Sequence, residues 1–108
     1  MFLVAERDGA IVGTGALTLR GALPAEVSRM STSLAHRRRG VASVILRRLL
    51  DEARDRGCPT VVLGTNAEWP DALAFYMARG FSEVGRARHE FGVGVLLELR
   101  LAYEPRAT

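Results

Sequence analysis

Lysine and glutamine are missing altogether from this sequence, and all 15 of its strongly basic side chains are arginine. Asn66 is the only asparagine, and Ile11 and Ile45 are the only isoleucines. Ala, Arg, Gly, Val and Leu dominate instead, the bias expected of a GC-rich, bacterial genome. It lowers the weight of any single arginine as a functional marker. Cys58 stands alone, which excludes an internal disulfide and suits a reducing compartment. It is expected to be a small buried residue and not a nucleophile. No apolar run approaches membrane-spanning length, and the opening "MFLVA" is too short for a signal peptide and runs straight into an acid. A cytoplasmic protein with no membrane partner is the expectation.

What is present is enough for a core. The 108 residues are 48% hydrophobic and 25% charged, which argues for a folded chain and one domain over residues 1–108. The net charge of +3 is a weak argument for nucleic acid. Phe2–Glu6 reads as a strand, Arg7–Gly9 as a hairpin turn and Ala10–Arg20 as a second strand, in which Gly13 and Gly15 hint at a bulge or close packing. "GALPA" reads as a loop and Glu26–Ser33 as a third strand. Apolar residues four apart (Val41, Ile45, Leu49) with Ala42, Leu46, Leu50 and Ala53 beside them predict a helix from Arg38 to Arg56, ended by Gly57 and Pro59. On its outer face Arg47–Asp51 and Arg48–Glu52 are i,i+4 pairs. Thr60–Thr65 is a continuous apolar strand of the buried parallel kind. Pro70–Gly80 is a second helix, Phe81–Phe91 and Gly92–Leu101 form a hairpin turning near His89–Gly92, and the tail after Leu101 is expected to fray. Phe81 and Phe91 are expected in the core, and Trp69 either rims a pocket or packs on the sheet.

Three arginines, Arg37, Arg38 and Arg39, crowd the start of the first helix, the end that its free N–H groups and dipole already make positive. An anion would relieve this. Gly40 would let it approach the backbone, and phosphate both accepts several N–H bonds and matches guanidinium geometry. The alternative is a solvated charge cluster. A nucleic-acid patch is a third reading, but no aromatic stacking platforms are interleaved with the arginines. His36 and His89 are not spaced as a metal pair, and no metal is expected.

"RRRGVA" (Arg37 to Ala42) fits the pattern Q/R-x-x-G-x-G/A between a strand and a helix. "NAEWPDALAFYMARGF" (Asn66 to Phe81) carries an Asn after a strand and a Y-x-x-x-G-F ending at Tyr76, Gly80 and Phe81. In this order, on this layout, the two stretches resemble the GNAT superfamily of acyl-CoA-dependent N-acetyltransferases, from Phe2 to about Leu101. The resemblance implies an α+β fold, a mixed and mainly antiparallel sheet with helices packed on it. It implies acetyl-CoA as cosubstrate and direct transfer of its acetyl group to a primary amine, of a small molecule or a protein, through a tetrahedral intermediate. By the same resemblance the backbone of Arg38, Arg39, Gly40, Val41, Ala42 and Ser43 cradles the pyrophosphate, with the Arg37 side chain holding the loop or a phosphate. Met30, Ser31 and Thr32 pair with pantetheine, and a backbone N–H polarises the acyl carbonyl. Asn66 bonds the pantetheine arm, Tyr76 protonates the departing thiolate and Glu26 is the base that takes the amine proton.

The chain departs from the family pattern in two ways. Ala42 stands where glycine is usual, and the strand and two helices that normally precede the strand at Phe2–Glu6 are absent. Those helices help to form the acceptor wall. Either the recorded start is internal to a longer gene or a partner fills the gap, and a twofold homodimer is expected. Two readings compete with the enzyme: a non-catalytic coenzyme A-binding module of the same fold, and a small nucleic-acid-binding protein.

Overall fold

The computed structural model describes residues 1–101. Strand β1 (Phe2–Arg7) turns back into β2 (Ala10–Arg20) through Asp8 and Gly9, both at positive φ, the requirement of the tight Asp-Gly hairpin. A second two-residue turn at Gly21–Ala22 leads into β3 (Leu23–Thr32). A short 3-10 turn (Leu34–His36) precedes helix α1 (Val41–Asp55), then come β4 (Thr60–Asn66), helix α2 (Pro70–Met77) and the hairpin β5 (Ser82–His89) and β6 (Gly92–Arg100). The sheet order is β1-β2-β3-β4-β6-β5, antiparallel throughout except for the central pair of β3 and β4. The expected α+β fold with a mainly antiparallel sheet is the one observed.

The sequence boundaries shift by two residues or more at four places. β3 begins at Leu23 because Arg20 pairs with Leu23, and Pro24, which lacks a donor, lies before the rungs to β4 begin at Ala25. α1 begins at Val41 and not Arg38, since Arg38 (φ 64) and Gly40 (φ 82) are left-handed and stand outside any helix. α2 stops at Met77, short of Gly80. β5 covers Ser82–His89, with Glu90 and Phe91 as the turn. The ion pairs of α1 also differ. Asp51 and Glu52 bind Arg54 and Arg56 instead of Arg47 and Arg48. An acid preceding its arginine along a helix agrees better with the helix dipole. The frayed tail lies outside the described residues.

Both helices cover one face of the sheet. Ile45, Leu46, Leu49, Leu50 and Ala53 of α1 join Leu17, Val27, Val61, Leu63, Val95, Leu97, Phe81 and the ring of Tyr76 in one core. α1 lies unusually low on β2. A Cβ added at Gly15 would come within 2.5 Å of Ile45 Cγ2 and 2.7 Å of Met30 Sδ, and one at Gly13 within 2.6 Å of Val41 Cγ1. The two glycines therefore set the height at which the helix crosses the sheet, and with it the position of its first turn. Among the described residues no helix covers the other face, which is left bare. Phe2 and Val4 are exposed there on β1, and at the opposite end of the sheet Leu96 is exposed in a shallow trough of about 380 Å³ lined by Gly64, Gly85, Ala87, His89 and Gly94 among others. Phe81 is in the core as expected, whereas Phe91 sits in the β5–β6 turn and is 79% exposed, and Trp69 is 59% exposed and packs little on the sheet.

Gly15→Val should cost about 1–3 kcal/mol by overpacking against Ile45 and Met30. Gly64→Ala, where an added Cβ meets nothing within 4 Å, should stay within about 0.5 kcal/mol of the parent. Urea denaturation of the two variants checks the contrast.

Candidate functional site

The site starts where the sheet comes apart. β3 and β4 share only two rungs, Ala25 with Val61 and Glu26 with Val62. Beyond them β3 stays paired to β2 as far as Thr32, and β4 stays paired to β6 as far as Asn66. The two strands thus diverge, each held by its outer neighbour, and leave a wedge in the middle of the sheet.

A bulge shapes the β3 wall of this wedge. Thr14 faces Ser31 but Ala16 faces Ser28, so Arg29 and Met30 share the place opposite Gly15. Arg29 is at φ 54, a left-handed conformation that costs a residue with a side chain about 1–3 kcal/mol. Thr14 Oγ1 secures it by donating to the Arg29 carbonyl at 2.7 Å. Past the bulge, Ser31 faces Thr14 and Ser33 donates its N–H to Val12 at 2.9 Å. The alternation of a strand then turns the backbone of Met30 and Thr32 across the wedge. Of the three residues assigned to pantetheine, Met30 and Thr32 have free backbone groups to offer, while the backbone of Ser31 is directed at β2.

At the wide end of the wedge lies the turn into α1. The N–H groups of Arg38, Arg39, Gly40, Val41, Ala42 and Ser43 have no protein acceptor among the described residues, and the first helical bond runs from Val44 to Gly40 at 3.1 Å. Gly40 as cap brings no side chain, and the first turn of α1 has no acid. Arg37, Arg38 and Arg39 are exposed and make no ion pair among the described residues. Six free donors, a helix dipole and three unpaired guanidinium groups thus converge on one turn. The positive φ of Arg38 fits this, since two left-handed residues in one tight turn direct successive N–H groups toward the same point.

Tyr76 and Glu26 stand on opposite faces of the sheet. The ring of Tyr76 is sandwiched edge-on between Phe75 and Phe81, at 5.1 and 5.7 Å, and the residue is 8% exposed. Its hydroxyl makes no hydrogen bond to a described residue, yet no side-chain polar atom there is buried without a partner, so the hydroxyl meets solvent. Burial holds its pKa above the usual 10.0 and keeps the phenol protonated. Glu26 stands on the last rung before the strands part, opposite Thr18 and Val62, on the bare face. Asn66 ends β4, where its Oδ1 accepts the Glu68 N–H at 2.8 Å and its Nδ2 lies against Gly92. The carbonyl oxygen is thus committed to the local turn, and the amide hydrogens are what Asn66 can offer to a ligand. Among the described residues no three His, Cys, Asp or Glu side chains gather as a metal site, and no helix is long and apolar enough to cross a membrane.

Two features of the site were not read from the sequence. Thr14 looked like any strand threonine, and only the register shows that it secures the bulge. Arg79, one arginine among many, turns out to bind Ser43 of the first turn of α1.

The described residues thus combine a split parallel pair with a helix start at its mouth whose N–H groups have no protein acceptor. A sequence model of the acetyltransferase (GNAT) family matches residues 1–81, and the chain belongs to that family. It is 38% identical to rat N-acetyltransferase 8 over 91 residues, 80% of this chain and 41% of that protein. It is 31% identical to human N-acetyltransferase 8 over 96 residues, 80% of this chain and 40% of that protein. The chain therefore spans about two fifths of the length of these relatives. Among solved structures, a GNAT family acetyltransferase of Elizabethkingia anophelis with acetyl-CoA bound superposes with a TM-score of 0.84 at 16% identity, covering 93% of this chain and 75% of that one. The ribosomal-protein-S18-alanine N-acetyltransferase of Escherichia coli gives 0.84 at 19% identity, covering 100% and 73%. At these identities the likeness shows the fold.

Because the folded state holds the Tyr76 proton more tightly than the unfolded chain, the contribution of this group is full below pH 10.0 and is lost as pH rises through its raised value. Stability should therefore fall in strong alkali, and Tyr76→Phe should lack that component of the loss. Denaturation midpoints for both proteins from pH 8 to about 11 check it.

Proposed function

We propose that this chain transfers an acetyl group from acetyl-CoA to a primary amine. The observation that carries the reading is the coincidence of the six free N–H groups, Arg38 to Ser43, with the mouth of the wedge between β3 and β4. The residues present suit this ligand. The pyrophosphate would rest on the first turn of α1, with Arg37, Arg38 and Arg39 supplying counter-charge. The pantetheine arm would lie along the wedge and bond to the backbone of Met30 and Thr32 and the amide hydrogens of Asn66.

The reaction follows from what the wedge offers. Glu26, at its narrow end, receives the proton of the incoming ammonium, directly or through one water. The free amine forms the new C–N bond at the acyl carbon. A backbone N–H of the bulge, that of Met30, donates to the acyl oxygen as it gains charge, and the strained Arg29 beside it fixes this donor before the reaction begins. The C–S bond then breaks, Tyr76, protonated on the opposite face, gives its proton to the sulfur, and the second proton of the attacking nitrogen leaves through water as the amide forms and restores the phenol. The base and the acid thus work from the two faces of the sheet, which keeps the proton taken from the amine apart from the one given to the thiolate. The acceptor is a primary amine of a small molecule or a protein, entering from the bare face on which Glu26 stands. The setting is cytoplasmic.

Tyr76→Phe should lower turnover by ~100-fold or more while leaving acetyl-CoA affinity nearly unchanged. Free-thiol release with a panel of amines, beside calorimetric binding, tests it. Unimpaired turnover with chemistry rate-limiting would contradict the role of Tyr76, and binding without thiol release from any amine would favour a non-catalytic coenzyme A module.

A second copy of the chain is proposed to cover the bare face. β1 is an outer strand with one unpaired edge, and Phe2 and Val4 beside it are exposed on the uncovered side. Sedimentation at micromolar concentration should show a dimer, and a monomer that retains activity would contradict it.

A further inference from the structure

One arginine of this protein is held in place where its neighbours are free. Arg79 follows the end of α2, and its guanidinium is fixed from three sides. Nε donates to Ser43 Oγ at 3.1 Å, and Nη2 donates to the same oxygen. Nη1 donates to the Phe75 carbonyl at 2.9 Å, and Cζ lies 3.7 Å from the centre of the Phe75 ring. No carboxylate pairs with Arg79 among the described residues. A cation is thus anchored against the first turn of α1, where the dipole disfavours it. As a helix-to-helix strut alone, an uncharged donor would serve without that repulsion.

The hydroxyl of Ser43 shows what the arrangement does. A serine oxygen has two lone pairs and one hydrogen. Here the guanidinium occupies the lone pairs, so the hydroxyl hydrogen has to point away from Arg79. Ser43 is the third residue of α1, and its own N–H is one of the six free donors. The hydroxyl is therefore available as a seventh donor in the same first turn, and the charge behind it strengthens the bond it gives.

We infer that Arg79 is a positioning residue for the phosphate site: by saturating Ser43 Oγ as an acceptor it orients the hydroxyl to donate to the pyrophosphate of acetyl-CoA, and adds fixed positive charge from α2. This rests on the acetyl-CoA reading above and extends it to the second helix. Arg37, Arg38 and Arg39 attract the anion from exposed positions with no ion pair among the described residues, whereas Arg79 acts from one fixed by hydrogen bonds. It also lies three residues from Tyr76, to whose carbonyl its own N–H donates at 3.0 Å. One turn of chain thus carries both the proposed acid and the group that orders the cofactor cradle.

Calorimetry with acetyl-CoA on the parent, Arg79→Ala, Ser43→Ala and the double variant tests this, together with steady-state kinetics. Each single change should weaken binding roughly tenfold, the range of a hydrogen bond to a charged group. The double variant should be little worse than either single one, because the two residues act as one unit. The effect should fall on KM for acetyl-CoA, with a much smaller effect on kcat. Arg79→Lys, which keeps the charge and loses the fork, should recover part of the affinity. Ser43→Ala leaves the Phe75 stack intact and so keeps the test alive should Arg79→Ala unfold. Undiminished binding in Ser43→Ala, losses that add in the double variant, or a fall in kcat alone would overturn the inference. A parent chain that binds no acetyl-CoA would instead overturn the reading on which it rests.

Discussion

Backbone hydrogen bonding at the centre of the sheet is the constraint on which the rest depends. Buried strand edges are ordinarily paired, and here two adjacent strands give up their pairing after two rungs. They can do so because each is secured on its other side, β3 by β2 and β4 by β6. The wedge between them exposes backbone donors and acceptors in the middle of the molecule, a suitable place for an extended ligand with amide groups of its own. The chain thus offers the ligand the role of a short strand.

The turn into α1 extends the same logic to charge. Crowding arginines at a helix start is unfavourable for a helix alone, and the strained φ of Arg38 adds to the cost. Both would become useful with an anion bound beside the six free N–H groups. The close packing on Gly13 and Gly15 makes this possible from a distance. By letting α1 lie low on β2, it fixes where the first turn of the helix meets the open end of the wedge. The core, the bulge and the phosphate cradle are thereby parts of one arrangement.

Much of this was legible in the residues. The apolar stripe of α1, the Asp-Gly turn, the glycine and proline stops and the buried run Thr60–Thr65 located the helices and most strands from local chemistry. The paired glycines of β2 hinted at a bulge or close packing, and the structure has both, the close approach of α1 and a bulge opposite Gly15. The Arg37–Ala42 stretch conflicts with the helix dipole, but it left an anion site and a solvated charge cluster equally open until the resemblance to the family favoured the anion. Other features were illegible because they arise from contacts between distant parts of the chain. The early start of β3 depends on Arg20 pairing with Leu23 across a turn that reads as a loop. That the extra residue of the bulge falls on β3 depends on a register set by β2, and nothing in Arg29 announces a positive φ. Phe91 was expected inside on its apolar character, but the hairpin needed a turn at its position. The roles of Glu26, Tyr76 and Asn66 came from the resemblance to the family. The structure adds where they stand, Glu26 and Tyr76 on opposite faces of the sheet and Asn66 at the end of β4.

The most direct test of the central claim is a titration of the isotope-labelled chain with acetyl-CoA, following each backbone amide by NMR. The largest changes should fall on Arg38 through Ser43 and on Met30 and Thr32, the free donors of the cradle and the wedge. Changes centred on the trough of the bare face, or no changes at saturating acetyl-CoA, would contradict the account.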